Sequence, residues 1–267
     1  MSRYMRMQFR NHDGQSIWFG DGQYYINESD VYDYKWDYEV SKNDVTFTHE
    51  TIDKTIPCTV VGENRVELAN ELYNIIDKDV REGIPGRLII GDYWIEGYFY
   101  GHNASKYSSG KIIRLDLSFV STSTWVREEL HNFRKEPPTS DYLEYDYDYE
   151  YDYTPEVDYS HITNHDYTSS DFVMTIFGAC TNPTITIAGY PYTVNVELGV
   201  GDSVEINSLN KTITLRKSNG ELVNVFYARD KDHYIFQPIP SGTSEVEYED
   251  IDFDLLLLQK RSVPKWT

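Results

Sequence analysis

The chain has 267 residues, enough for one or two domains that each bury a core of their own. It carries 44 Asp and Glu against 24 Lys and Arg, a net charge of −20 with no clustered basic patch, which argues against a nucleic-acid groove and against an anionic membrane surface. Its 24 tyrosines and scarce alanine favour pleated, half-buried surfaces, so the expected class is mainly β.

The opening stretch, MSRYMRMQFR, lacks the apolar centre of a secretory signal. The longest aliphatic run, Leu255 to Leu258, is far too short to cross a bilayer. The sequence therefore reads as a soluble protein made in a reducing cytoplasm, with no membrane partner. Cys58 and Cys180 lie in different halves, and each reads as a small buried hydrophobe without a thiol role.

MRMQF and SIWF flank Asn11-His12-Asp13-Gly14, which predicts a hairpin closed by the Asp-Gly turn. Val31 to Val40 (VYDYKWDYEV) then alternates with a period of two. In a strand this puts Tyr32, Tyr34, Trp36 and Tyr38 on one face and Asp33, Lys35, Asp37 and Glu39 on the other. Those four aromatics form the first candidate interface. Val45 to His49 and Ile56 to Val61 read as further strands. Asn64 to Glu82 is the one predicted helix, with Val66, Ala69, Leu72, Tyr73, Ile76 and Val80 as its apolar stripe. Asn64 is its expected cap, Glu67 stands in capping-box position, and Gly83 ends it. Gly91-Asp92 joins RLII to YWIEGYFY as a two-residue hairpin, and Lys111 to Val120 continues the sheet. Residues 1–134 thus predict a β-rich domain with a single helix.

Residues 135–170 read as a Tyr/acid-rich linker, opened by Glu136-Pro137-Pro138. Within it Tyr145, Tyr147, Tyr149, Tyr151 and Tyr153 alternate with Asp146, Asp148, Glu150 and Asp152. An extended backbone makes one aromatic face, the second candidate interface, and one carboxylate face. Same-face carboxylates about 7 Å apart repel by roughly 0.6 kcal/mol in water. The acid face wants solvent or a partner's cations; the plainer alternative is a solvated low-complexity linker. His161 to Ser170 reads as a polar loop.

From Asp171 the strands come at the spacing of a sandwich: FVMTIFG, PTITIAG, YTVNVEL, DSVEIN, KTITLRK, ELVNVFYA, HYIFQPI, TSEVEYE and IDFDLLLLQ. Asn219-Gly220 marks the strongest hairpin. Residues 171–258 therefore predict a jelly-roll or galectin-like β-sandwich. Residues 259–267 (QKRSVPKWT) form a C-terminal arm with three cations and Trp266, suited to an acidic neighbour or to the first domain, where the simple alternative is a frayed terminus.

No motif assigns a catalytic, cofactor or metal site. His161 and His165 have the spacing of a zinc-helix pair, but Ile162 stands where HExxH needs glutamate. Asp250, Asp252 and Asp254 begin like a calcium loop, yet Leu255 occupies the glycine position. There is no G-x-S-x-G elbow and no P-loop. The expectation is a protein that is not an enzyme.

The order of a β domain with one helix, a YDYDYEYDY ladder and a β-sandwich resembles the distal tail protein (Dit) family of long-tailed, non-contractile bacteriophages. The second half resembles theirs through NPTITIAG, VGDSVEINSLNKTITLRKSNGELVNVFY and FQPIPSGTSEVEYE, in that order. The resemblance covers nearly the whole chain. It implies that residues 1–134 are a ring-forming belt domain, six copies of which close around the tail axis, with a galectin-like domain projecting outward. It also implies a structural hub at the virion tail tip, synthesised in the host cytoplasm. Its partners would be the tail tube protein, a tail-associated hub or fibre protein, and a receptor-binding or adhesion protein. DNA would pass through the lumen without specific binding, and the acidic balance suits that, because a negative lumen repels it. Two alternatives stand beside this one. A carbohydrate-binding module would use Tyr190, Tyr192, Tyr227 and Tyr234, and a tail-associated polysaccharide hydrolase would use paired acids.

Overall fold

The computed structural model describes residues 6–20, 22–26, 29–49, 51–105, 111–135 and 160–265. The chain divides into two units, Met1–Arg127 with Lys260–Thr267, and Glu128–Gln259. Both are mainly β, and the described residues contain one α-helix.

In the first unit, β1 (Met7–Arg10) and β2 (Ser16–Phe19) form the expected hairpin, with Arg10 opposite Ser16 beside the turn and Gly14 at φ 85°. Only glycine adopts that conformation without cost. β3 (Tyr24–Ile26) is followed by β4 (Trp36–Ser41), β5 (Asp44–His49) and β6 (Ile52–Val61). The helix α1 (Arg65–Glu82) leads to β7 (Gly86–Ile90), β8 (Tyr93–Ser105), β9 (Ile112–Ser121) and β10 (Trp125–Phe133), whose residues from Glu128 onward belong to the second unit. The long β8 serves two sheets. Its first half extends the order β2-β1-β7-β8, and its second half, from Tyr98 onward with a register shift between Phe99 and Gly101, extends β8-β9-β6-β3. Ile90 pairs with Tyr93 across Gly91-Asp92, so the two-residue hairpin is present as expected. Phe9, Phe19, Phe99 and Phe119 meet edge-on or tilted at centroid distances of 4.9 to 6.2 Å and fill the core between these sheets.

The helix ends where the sequence placed its stop: Gly83 is left-handed at φ 69° and its N–H donates to the Asp79 carbonyl. Its start differs, because the Asn64 side chain makes no capping hydrogen bond. The buried stripe is also rotated from the expected one. It consists of Leu68, Ala69, Leu72, Ile75, Ile76 and Asp79, whereas Val66 and Val80 are exposed. Asp79 is fully buried on that packing face. The β1–β2 turn docks over it. The His12 backbone N–H donates to Asp79 Oδ1 at 3.1 Å, and His12 Nδ1 lies 2.5 Å from the same oxygen. His12 Nε2 reaches Glu82 at 2.9 Å, while Lys78 pairs with Asp13. A cation at a helix C-terminus also meets the negative end of the helix dipole.

The second unit contains β11 (Ser160–Asn164), β12 (Asp171–Phe177), β13 (Cys180–Thr181), β14 (Thr184–Ile187) and β15 (Tyr190–Thr193). It continues with β16 (Glu197–Leu198), β17 (Ser203–Asn207), β18 (Thr212–Arg216), β19 (Leu222–Asn224), β20 (Gly242–Tyr248) and β21 (Asp252–Arg261). One antiparallel sheet runs β19-β18-β17-β12-β21 and another β11-β20-β14-β15. Strict alternation makes the core. Leu255, Met174, Ile206 and Ile213 form one inward row across four strands, and Phe253, Ile176 and Val204 begin the next. Ile185, Ile187, Tyr192 and Val246 of the other sheet join the same cluster.

Three local expectations are corrected here. The stretch His161 to Ser170 is not a loop throughout, because β11 pairs with β20 from Ser160↔Val246 to Asn164↔Gly242. The turn after it is held from inside by buried Asn164. Its amide donates to the Thr168, Ile239 and Pro240 carbonyls, and its oxygen accepts from the Asp166 N–H and the Ser170 hydroxyl. The strand expected over ELVNVFYA stops at Asn224, whose side chain accepts the Phe226 N–H and turns the chain into a 3₁₀ turn, Phe226–Ala228. HYIFQPI is irregular rather than a strand; Ile235, Phe236 and Ile239 are buried as loop anchors.

Candidate functional site: an uncovered hairpin in the first unit

Strands β4 and β5 pair only with each other among the described residues. Trp36 faces His49, Tyr38 faces Phe47 and Val40 faces Val45, so one side of the ribbon is apolar. The other side pairs Asp37 with Thr48 and Glu39 with Thr46. Every apolar side chain here is exposed: Trp36 at 40%, Tyr38 at 62%, Val40 at 70%, Val45 at 45% and Phe47 at 61%. The turn is locally sound, since the Asp44 side chain accepts the Val45 N–H and the Ser41 hydroxyl donates to the Asp44 carbonyl. Tyr38 and Phe47 meet across the strands with centroids 6.4 Å apart. A two-stranded ribbon alone is marginal in water. Taking a large apolar side chain from full exposure to full burial contributes about 1.5–3 kcal/mol, and covering these partly exposed ones contributes a fraction of that.

The four aromatics expected on one strand face separate. The strand begins at Trp36, so Trp36 and Tyr38 share the apolar face of β4. Tyr34 precedes the strand and is 59% exposed. Tyr32 is half-buried against the first core, and burial pushes its hydroxyl pKa up. Val40, Val45 and Phe47 complete the surface but were not singled out in the sequence; the signal was there in the DVTFTH alternation, facing VYDYKWDYEV across a Lys-Asn turn. Tyr145, Tyr147, Tyr149, Tyr151, Tyr153 and Trp266 lie outside the described residues.

Burial raises the Cys58 thiol to about 12, and Cys180 is raised by the same cause. His161 lies on β11 rather than on a helix, so the i, i+4 pair with His165 does not share a helical face. No group of three or more metal-ligating side chains occurs among the described residues. Surface clefts of about 210, 220 and 290 Å³ fall below the usual size of a small-molecule site. In the first of them Ser121 and Ser123 both donate to the Glu96 carbonyl, which leaves their hydroxyls committed. No described helix is long and apolar enough to cross a membrane.

This architecture is a Dit-like fold, of the kind seen in phage baseplates. Aligned on the Dit protein of phage SPP1, described as a paradigm of the hub adsorption apparatus in phages that infect Gram-positive bacteria, the chain gives a TM-score of 0.61 at 10% identity, covering 96% of this chain and 99% of that one. Against structures of the phage P2 baseplate in its activated conformation, with Ca and with Sr, the TM-score is 0.62 at 14% identity, covering 97% of this chain and 99% of that chain. At these identities the likeness is one of fold. No family model matches the sequence, and no curated protein matches it.

Proposed function

We propose that this protein is a structural component of a bacteriophage tail tip, a distal tail hub that closes as a homo-hexameric ring. The observation that carries this is the fold likeness to Dit and baseplate chains over 96–97% of the sequence. The uncovered β4–β5 face supports self-assembly, because a neighbouring copy would bury Trp36, Tyr38, Val40, Val45 and Phe47 and remove an aggregation liability. Heterologous contacts that close make rings. In this reading the ring joins the tail tube protein to a tail-associated hub or fibre protein and an adhesion protein. The second unit, read as galectin-like, projects from the ring, and DNA passes through the lumen without specific contacts. The work is structural rather than enzymatic.

The test is particle mass by light scattering on a sizing column, followed by negative staining. A ring with a central hole near 187 kDa, six times the 31.2 kDa chain, is expected. A protein that stays monomeric at every concentration, both alone and with its tail tube partner, would overturn the ring.

A further inference from the structure

The second unit carries a different surface, built where the β17–β18 turn, the 3₁₀ turn and the loop before β20 converge. Phe236 is 2% exposed and forms its floor. Phe226 stacks on it at 6.0 Å and 18°, and Tyr234 meets its edge at 5.8 Å. Both flanking rings reach solvent, at 38% and 54% exposure. Two cations are mounted on these rings. Lys211 Nζ lies 5.6 Å from the centroids of both Tyr234 and Phe236, and the Arg229 guanidinium lies 4.1 Å from that of Phe226.

The arrangement is held rigid. The Tyr190 hydroxyl donates to the Tyr234 carbonyl and accepts its N–H, which fixes the backbone under the exposed ring. Arg229 donates to the Phe226 carbonyl, and Asp230 holds the neighbouring His233 at 2.8 Å. Lys211 has a φ of 56°, a conformation in which Gly or Asn is the ordinary choice. A lysine kept there is held over the rings against its backbone preference, and such outliers gather at binding sites.

We infer that this platform binds an acidic saccharide, a sugar or polyol chain bearing carboxylate or phosphate groups. A pyranose or polyol presents C–H edges that pack on the faces of Tyr234 and Phe226, whose quadrupoles are negative at the face. Lys211 and Arg229 supply the complementary charge beside those faces, and the guanidinium matches a carboxylate or phosphate in a planar fork. Lys211 Nζ also lies 4.0 Å from Asp171 Oδ1, a long contact beside which an acidic ligand has to compete, and Arg229 spends one N–H on the Phe226 carbonyl and keeps others for a ligand. The chain as a whole is at −20 and repels polyanions, so any acidic ligand must be captured locally. This site does not depend on ring formation.

The test uses the full-length chain on a printed panel of saccharides that pairs uronate- and phosphate-bearing members with their neutral counterparts, with inorganic polyphosphate as a competitor. Binding to acidic members and not to their neutral partners is expected, with only weak competition by polyphosphate. Tyr234→Ala and Lys211→Glu should each weaken binding by about tenfold or more, as loss of one stacking or one cationic contact implies. Lys111→Glu, at an exposed position of the first unit, should change nothing. The proposal is overturned if no acidic member is bound, if neutral members are bound equally well, or if binding survives both platform variants. Competition by polyphosphate as strong as by the free saccharide also overturns it, because that marks a simple charge patch.

Discussion

His12 Nδ1 lies 2.5 Å from Asp79 Oδ1, joining a tight β-turn to a carboxylate on the buried face of the only described helix. The hydrogen bond to Asp79 is the largest cause holding His12 above its usual pKa of 6.5, with Glu82 and Asp13 adding to it. Lys78, also at this corner, is engaged by Asp13.

The sign of the pH effect follows from that direction. A histidine whose folded pKa is raised contributes stability in full below its unfolded pKa, and that contribution is lost as pH rises through the folded value. The melting temperature of the protein should therefore fall as pH is raised from below 6.5 into the alkaline range. His12→Gln should flatten that limb while lowering stability at pH 6. A His12→Gln variant with the same pH slope as the parent would place the titration elsewhere.

Gly86 opens β7 beside the same carboxylate. A Cβ there would run into Asp79 Oδ2 and meet the Phe9 ring at 2.5 Å and the Arg10 carbonyl at 2.8 Å. Gly86→Ala should destabilise the first unit by roughly 1–3 kcal/mol, the usual range for overpacking. Gly101→Ala is the control, since nothing lies within 4 Å of its Cβ. Chemical denaturation of the two variants side by side checks the difference.

Tyr38→Ser combined with Phe47→Ser removes the central pair of the uncovered hairpin without touching either core. Surface changes of this kind shift monomer stability by about 0.5 kcal/mol or less. Self-association should nonetheless be lost in sedimentation velocity, while the circular dichroism of the variant matches the parent. If the double variant still assembles, the ring is closed by another surface.

Asn164 satisfies five backbone and side-chain groups from inside the second unit. Asn164→Ala would leave several of them buried without partners, at about 1–3 kcal/mol for each group that water cannot reach. We expect a loss of roughly 3 kcal/mol in urea unfolding, against about 1 kcal/mol for Tyr192→Phe, which removes only the hydroxyl donating to the Gln237 carbonyl.

Much of the architecture was legible because it rests on local chemistry. Period-two alternation marked β12, β14, β17, β18, β20 and β21, and Gly91-Asp92 specified a turn that the strands then obeyed. Gly83 specified the end of α1 by its tolerance of positive φ. The helix face was less legible. Val66 and Val80 fit a 3.6-residue stripe as well as Leu68 and Ile75 do, and periodicity carries no information about which side a sheet will cover. No local pattern marks Asp79 as buried, because its partner is 67 positions away.

The candidate sites divide in the same way. Alternation alone determined that Trp36 and Tyr38 share a face. Only the tertiary structure decided that, among the described residues, β4 and β5 pair with neither sheet and leave this face exposed, while Tyr32 is drawn into the core. Likewise Tyr190, Tyr192, Tyr227 and Tyr234 were equal candidates as sugar-stacking residues, and Tyr227 is the most exposed of them at 76%. The fold buries Tyr192 at 1%, spends the Tyr190 hydroxyl on the loop backbone, and leaves Tyr234 in solvent beside Lys211, 23 positions earlier in the chain. Sequence fixes the direction in which a side chain leaves its own backbone; burial is set by whichever distant segment arrives opposite it, and no local pattern encodes that arrival.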